Sequence, residues 1–110
     1  MENLNRIELQ GNIHEAKITE VGGARLLRFK MQTNHMIKGR NGVVYIEPDF
    51  FDVTAWEDTK GVDINAIGKG RAVHVIGRMK TNRYVDCENE EHISYEVIAS
   101  KVEEVKDEQD

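Results

Sequence analysis

The chain has 110 residues and carries 15 basic against 20 acidic side chains, which gives a formal net charge of −5. This length suits one domain with one core. The single cysteine, Cys87, excludes an intramolecular disulfide and a cysteine-based zinc site, and it fits a reducing compartment. No apolar signal segment or run of roughly 20 apolar residues is present. We therefore expect a globular cytoplasmic protein, although the net charge is unfavourable for a nucleic-acid binder.

Alternating apolar and polar side chains predict five β-strands. They cover residues 6–13, 25–33, 43–56, 71–80 and 92–102. Gly22-Gly23 and Asn41-Gly42 predict turns after the first and second strands. The polar residues 86–91 predict the turn between the last two strands.

The segment between the third and fourth strands differs from the rest. Residues 62–67 predict a short, weak helix with Gly68 as its C-cap. Five strands with a helix at this point favour an all-β fold, the five-stranded OB-fold Greek-key barrel. An SH3-like barrel and a five-stranded meander also fit the pattern. We expect the barrel domain to cover residues 1–102 and an acidic, disordered tail to cover residues 103–110.

The charges are unevenly distributed. Residues 21–46 and 64–85 contain no acid, and together these 48 residues carry a charge of +10. The other 62 residues carry −15. In the barrel, the two segments would supply neighbouring basic strands and loops, which suits phosphate binding whatever the net charge. Chance and ordinary surface patterning offer the other explanation. The cations that we predict to contact phosphates are Arg28, Lys30, Lys38, Arg40, Arg78, Lys80 and Arg83.

The third strand carries aromatic side chains on two faces. Phe51, Val53 and Ala55 share one face and predict a core. The other face would carry Phe50, Asp52, Thr54 and Trp56. A core would not contain the polar Asp52 and Thr54 between aromatic residues, and a solvated face does not normally carry two large aromatic side chains. Aromatic rings on a polar sheet face are suited to base stacking, so Phe50 and Trp56 predict a nucleic-acid surface.

Two alternatives remain open for these rings. Phe50 and Trp56 could pack under a loop or into an oligomer interface, and Pro48 could mark a bulge that shifts the alternation. Tyr84 follows the fourth strand in phase with Arg78 and Lys80, which is equally consistent with a stacking residue and with an ordinary exposed tyrosine.

Residues 4–105 resemble a bacterial single-stranded DNA-binding protein. The motifs that carry the resemblance are NRIELQGNI (5–13), GGA (22–24), FKMQTN (29–34), DFFDVTAW (49–56), KGRAVHVIGRMKT (69–81) and YEVIA (95–99). The resemblance implies an OB-fold that forms a homotetramer, with dimers known among relatives. It also implies single-stranded DNA as partner, no cofactor, and roles in replication, recombination or repair. The family's stacking positions match Phe50, Trp56 and Tyr84, and a fourth falls on the non-aromatic Ile37.

The chain also departs from this family. Asp52 stands between the two aromatic residues where the family often has a basic residue, and an acid there would repel phosphate. The expected acidic, hydrophobic C-terminal tip, which recruits repair proteins, is missing. We therefore expect a core-only variant or a relative such as the primosomal replication protein, an OB-fold assembly module.

An enzymatic alternative is a metal-dependent nuclease that uses Glu47, Asp49 and Asp52. Alternation puts Asp52 on the face opposite to the other two acids, which argues against it. The four histidines show no metal-ligand spacing. We therefore expect a non-enzymatic, largely sequence-independent binder of single-stranded DNA.

Overall fold

A computed structural model of the protein describes residues 1–63 and 67–105. Its strands are β1 (Ile7–Val21), β2 (Ala24–Lys38), β3 (Val44–Trp56), β4 (Ala72–Val85) and β5 (Glu91–Glu104). All five predicted strands are confirmed, and all except β3 are longer than predicted. Across the described ranges there is no helix that is long and apolar enough to cross a membrane.

The five strands close into a barrel in the order β1-β2-β3-β5-β4, with β1 bonded to both β2 and β4. The barrel closes through a short parallel contact between β3 and β5, in which Val53 faces Val97 and Thr54 faces Ile98. A meander would instead pair β3 with β4. The expected OB-fold barrel is therefore confirmed.

The predicted short helix over residues 62–67 depends on residues 64–66, which lie outside the described residues. Beside them, the Ile67 N–H donates to the Asp63 carbonyl at 3.0 Å. Gly68 lacks the positive φ of a left-handed C-cap, whereas Gly70 has a φ of 89°.

The barrel interior contains residues that the alternation of the strands points inward, together with Ile67 from the connection between β3 and β4. Its buried members are Ile13, Leu27, Phe29, Met31, Val53, Ala55, Ile67, Val73, Val75, Val97, Ala99 and Val102. Burial of these apolar side chains supplies the main driving force for folding. The predicted inward face of β3 is confirmed, since Val53 and Ala55 are buried and Phe51 packs against the cluster.

Two hairpins extend beyond the barrel. Residues 33–38 of β2 pair only with β3, and we call residues 33–49 the β2–β3 arm. The pairing of β4 with β1 ends at Gly77, so the following residues of β4 pair only with β5. We call residues 80–96 the β4–β5 arm. A backbone hydrogen bond closes each turn. The Gly39 N–H donates to the Val43 carbonyl (2.8 Å), and the Asp86 N–H donates to the Glu90 carbonyl (2.9 Å).

The end of β5 lies two residues beyond the expected domain limit at residue 102. Glu103 faces His74 in the β4–β5 ladder, and a Glu104 carboxylate oxygen lies 2.8 Å from the Arg71 guanidinium. Glu103 and Glu104 of the expected tail (residues 103–110) thus belong to β5, and residues 106–110 lie outside the described residues.

Candidate nucleic-acid interface

The outer face of β3 carries the two exposed aromatic side chains that the sequence predicts. β3 pairs with β2 without interruption from Val44 to Trp56, so Pro48 introduces no bulge and the alternation is preserved. Phe50 is 49% exposed and Trp56 is 37% exposed. Two large aromatic side chains therefore lie on the outside of the barrel, separated by Asp52 and Thr54.

Trp56 lies opposite Leu26 in the β2–β3 ladder, so the two side chains share the outer face. Leu26 is only 1% exposed although it does not belong to the core cluster. Trp56 thus has a buried apolar residue as its cross-strand neighbour, and it retains exposed surface that is open to a ligand.

Phe50 has an aromatic neighbour of its own. Its ring lies 5.4 Å from the His14 imidazole in an edge-on arrangement, with an angle of 68° between the planes. His14 occupies the point where the β1–β2 register shifts, between Ile13 and Glu15. His14 contacts Phe50 from this bulge, a contact that no pattern in the sequence predicts.

Two of the predicted cations lie directly opposite the polar residues of β3. Arg28 faces Thr54, and Lys30 faces Asp52 with 3.6 Å between the Lys30 Nζ and the nearer carboxylate oxygen. Lys17 of β1 lies opposite Arg28 in the adjoining ladder, which adds a cation that sequence reasoning missed. The cations and the aromatic rings therefore share one continuous face.

Glu96 lies at the centre of this face. Its carboxylate accepts hydrogen bonds from the Thr54 hydroxyl (2.7 Å) and the Asn82 amide (3.0 Å). Thr54 is buried as a result, at 5% exposure, where the sequence predicted an open polar face. Burial raises the pKa of Glu96, but these two bonds together with Lys80 and Arg28 outweigh it and hold the pKa below its usual value.

Several of these side chains line an open groove of about 630 Å³ that extends onto the β4–β5 arm. Its floor comes from all five strands. The lining residues are Glu15, Ala16, Lys17, Arg28, Phe29, Lys30, Asp52, Val53, Thr54, Asn82, Ser94, Tyr95 and Glu96. The groove thus offers four different chemistries: cations, aromatic rings, hydroxyl and amide donors, and the three carboxylates of Glu15, Asp52 and Glu96.

β4 brings two more predicted cations to the outer face. Arg78 lies opposite Ile98 and Lys80 opposite Glu96, and alternation places Tyr84 on the same side further along the β4–β5 arm. Arg83 lies on the other side of this arm, and its guanidinium contacts Glu91 at 2.9 Å. The structure therefore does not group Arg83 with the other predicted site residues.

The β2–β3 arm carries the remaining predicted residues. Lys38 and Arg40 are exposed at its end, where the sequence contains no acid. Ile37 is half-buried and lies opposite the exposed Tyr45, on the side away from Phe50. An aromatic side chain is thus present beside the non-aromatic position, although on the neighbouring strand.

Three potential metal ligands meet at the turn of the β4–β5 arm. The donor atoms of Asp86, Glu90 and His92 lie within 4.8 Å of one another, and they form the one such group in the described part of the chain. Hydrogen bonds within the turn account for the position of Asp86, so we assign the group a structural role. Glu47 and Asp49 lie on the side of β3 opposite to Asp52, as alternation predicts.

Comparison with protein families gives one match. A model described as the single-strand binding protein family matches residues 4–105. A comparison with curated proteins finds no match.

Solved structures with the same fold include proteins from Plasmodium falciparum, Streptomyces coelicolor and Thermus aquaticus. A Plasmodium falciparum SSB in complex with ssDNA is 22% identical, with a TM-score of 0.79, 96% of this chain covered and 98% of the other. A small single-stranded DNA-binding protein from Streptomyces coelicolor is 19% identical (TM-score 0.70; 94% and 96% covered). A deletion mutant of the Thermus aquaticus single-stranded DNA binding protein is 15% identical (TM-score 0.76; 96% and 52% covered). At these identities the likeness shows the fold.

Proposed function

The chain belongs to the single-strand binding protein family, whose model covers residues 4–105, and from this premise we propose that it binds single-stranded DNA without catalysing a reaction. The observation that carries the proposal is the outer face of β3. Phe50 and Trp56 are exposed there, and Arg28 and Lys30 lie on the adjoining strand. This arrangement offers stacking surfaces for bases beside cations for phosphates.

Each group has a distinct role in this mechanism. Phe50, Trp56 and Tyr84 stack on bases, which is worth about 1–3 kcal/mol per base and is tolerant of sequence because every base has a π-face. Arg28 and Lys30 contact phosphates in the groove, Arg78 and Lys80 do so on β4, and Lys38 and Arg40 do so at the end of the β2–β3 arm. Binding of this kind is non-specific in sequence and weakens with salt. It suits replication, recombination or repair in the cytoplasm, where single strands are exposed.

The test uses the only tryptophan of the chain as its reporter. Titration with oligo(dT) at low salt should quench Trp56 fluorescence, since the indole would stack on a base. Phe50→Ala should weaken binding by about 1–3 kcal/mol, or roughly 5- to 150-fold. Val21→Ala, which truncates an exposed side chain at the β1–β2 turn, serves as the matched control and should bind like the wild type. Absence of quenching with the folded wild-type protein would overturn the proposal.

We further propose that the protein is a homo-oligomer, with a tetramer favoured over a dimer. Both arms expose apolar side chains, among them Met36 and Ile46 on one arm and Val85 and Ile93 on the other. Contiguous exposed apolar surface is typical of interaction sites. Sedimentation velocity should therefore give a mass of four chains, and a monomer at micromolar concentration would contradict this.

The same exposed residues support a second candidate function, an OB-fold module for protein assembly that binds DNA weakly or not at all. Here Phe50 and Trp56 would lie between subunits. Trp56→Ala would then dissociate the oligomer. Under the leading proposal Trp56→Ala leaves the oligomer intact and lowers DNA affinity, so sedimentation of this variant with and without oligo(dT) separates the two.

A further inference from the structure

Tyr84 does not stand alone on the β4–β5 arm. Its ring stacks on the imidazole of His92, with 5.1 Å between the ring centroids and 19° between the planes. The two residues are direct partners in the β4–β5 ladder, so the backbone itself holds them side by side. Tyr84 nevertheless remains 56% exposed. One face of the phenol ring is thus backed by His92 while much of the side chain is open to solvent.

A hydrogen bond to Asp86, in the adjoining turn, holds the His92 imidazole in place. Its Nε2 lies 2.6 Å from a carboxylate oxygen of Asp86. Because an ionised carboxylate only accepts hydrogen bonds, Nε2 carries the hydrogen. The other Asp86 oxygen accepts from the backbone N–H groups of Glu88 and Glu90, both at 2.9 Å. The hydrogen bond from His92 is the main reason why the pKa of Asp86 lies below its usual value.

These contacts form a chain from the backbone of the turn to the exposed aromatic ring. The turn fixes Asp86, Asp86 fixes the imidazole, and the imidazole fixes one face of Tyr84. An exposed side chain normally loses rotamer freedom when a ligand immobilises it. A ring that is already stacked has lost much of that freedom before the ligand arrives, and it retains a free face for another flat ring.

We propose that His92 is a positioning residue for single-stranded DNA, which, held by Asp86, fixes the Tyr84 ring as a platform for one base. This inference rests on the proposed function. It assigns His92 no contact with DNA, and it predicts that His92 contributes to affinity only through Tyr84. The base, Tyr84 and His92 would form a continuous stack along the outer side of the β4–β5 arm.

The experiment is a double-mutant cycle measured by oligo(dT) quenching of Trp56, which lies on another strand. His92→Ala should weaken binding by about two- to tenfold. His92→Phe, which retains a stacking ring, should restore most of the affinity. In the Tyr84→Ala background, His92→Ala should have no further effect. His35→Ala removes an exposed histidine of the β2–β3 arm and should bind like the wild type.

The outcomes separate the inference from the function on which it rests. Wild-type protein that gives no quenching overturns the proposed function. Wild-type binding that His92→Ala leaves unchanged overturns the positioning role alone. An equal loss on His92→Ala with and without Tyr84 shows a role independent of the ring, which also overturns it. If His92→Ala loses its circular dichroism melting transition, His92→Phe and His92→Gln decide instead: the variant with a ring should bind more tightly than the variant without one, and equal affinities would overturn the positioning role.

Discussion

Asp52 is the residue that argues most directly against DNA in the groove. It lies between Phe50 and Trp56, and its carboxylate is 3.6 Å from the Lys30 ammonium. Both side chains are substantially exposed. Such a surface ion pair contributes only about 0–1 kcal/mol, so an incoming phosphate can displace the carboxylate at small cost. We therefore expect Asp52 to weaken binding without preventing it.

Replacing Asp52 by Asn should accordingly strengthen binding. Lys30 would lose an internal competitor and the repulsion of phosphate would disappear, which is worth up to about 1 kcal/mol, or fivefold in affinity at low salt. The gain should shrink at high salt because both effects are electrostatic. Fluorescence titration at two salt concentrations measures it, with Asp58→Asn as an exposed control outside the groove. An affinity unchanged at low salt would show that Asp52 lies away from the DNA path.

Glu96 differs from Asp52 because its hydrogen bonds favour the ionised form. The pKa of the folded state lies below its usual value near 4.5. The ionised carboxylate therefore stabilises the fold above that pH, and this contribution is lost as the pH falls through the lowered folded-state pKa.

Glu96→Gln should then lower the melting temperature at pH 7 by roughly 4 °C, for a loss of about 1 kcal/mol. The difference from wild type should narrow progressively below pH 4.5, where the wild-type carboxylate becomes protonated. Thermal melts between pH 3 and pH 7 measure this, with Glu88→Gln at the exposed turn as the matched control. A difference that is constant over the whole range would show that the charge of Glu96 does not matter.

Among the structural elements, β4 and β5 approach each other closely at Gly77. The β4–β5 register shifts between Ile76 and Gly77, and a Cβ at Gly77 would collide with the Ile98 carbonyl. The opposing strand leaves no room for a side chain, and the obstacle is backbone rather than a flexible group. This glycine therefore permits the bulge that bends β4 into the barrel wall.

Gly77→Ala should destabilise the barrel by about 1–3 kcal/mol, the usual cost of an added methyl group in a packed site. Gly68→Ala is the matched control, since its Cβ would meet no atom within 4 Å and its φ is not in the left-handed region. Urea denaturation of both variants measures the difference. Equal midpoints for Gly77→Ala and the wild type would refute the role of this close contact.

The strands also show what the sequence could and could not predict. Alternation identified all five because one face of each packs on the core. It missed residues 14–21 of β1 since a bulge after Ile13 shifts the phase and few of these side chains are buried. The exposed Phe50 and Trp56 were predictable because they break the rule for a polar face. Glu96 was not, because its hydrogen bond to Thr54 joins residues 42 positions apart.

For the whole molecule, the net charge of −5 hides two unlike regions. The acid-free residues 21–46 form β2 and its turn, and residues 64–85 include β4. Both strands place cations on the outer face of the barrel. The turn of the β4–β5 arm, in contrast, carries Asp86, Glu88, Glu90 and Glu91. A polyanion would therefore be attracted along the groove and repelled at the tip of that arm.

This distribution predicts which lysines set the salt dependence of binding. Each phosphate contact on a single strand contributes a slope of about −0.7 to log K against log[salt]. Lys38→Gln should therefore make the slope shallower by about 0.7, because Lys38 is exposed at the end of the basic β2–β3 arm. Lys60→Gln removes an exposed lysine outside both acid-free segments and should leave the slope unchanged. If both variants made the slope shallower by the same amount, DNA would be responding to the net charge of the molecule. A change confined to Lys38→Gln would instead place the bound DNA along the β2–β3 arm.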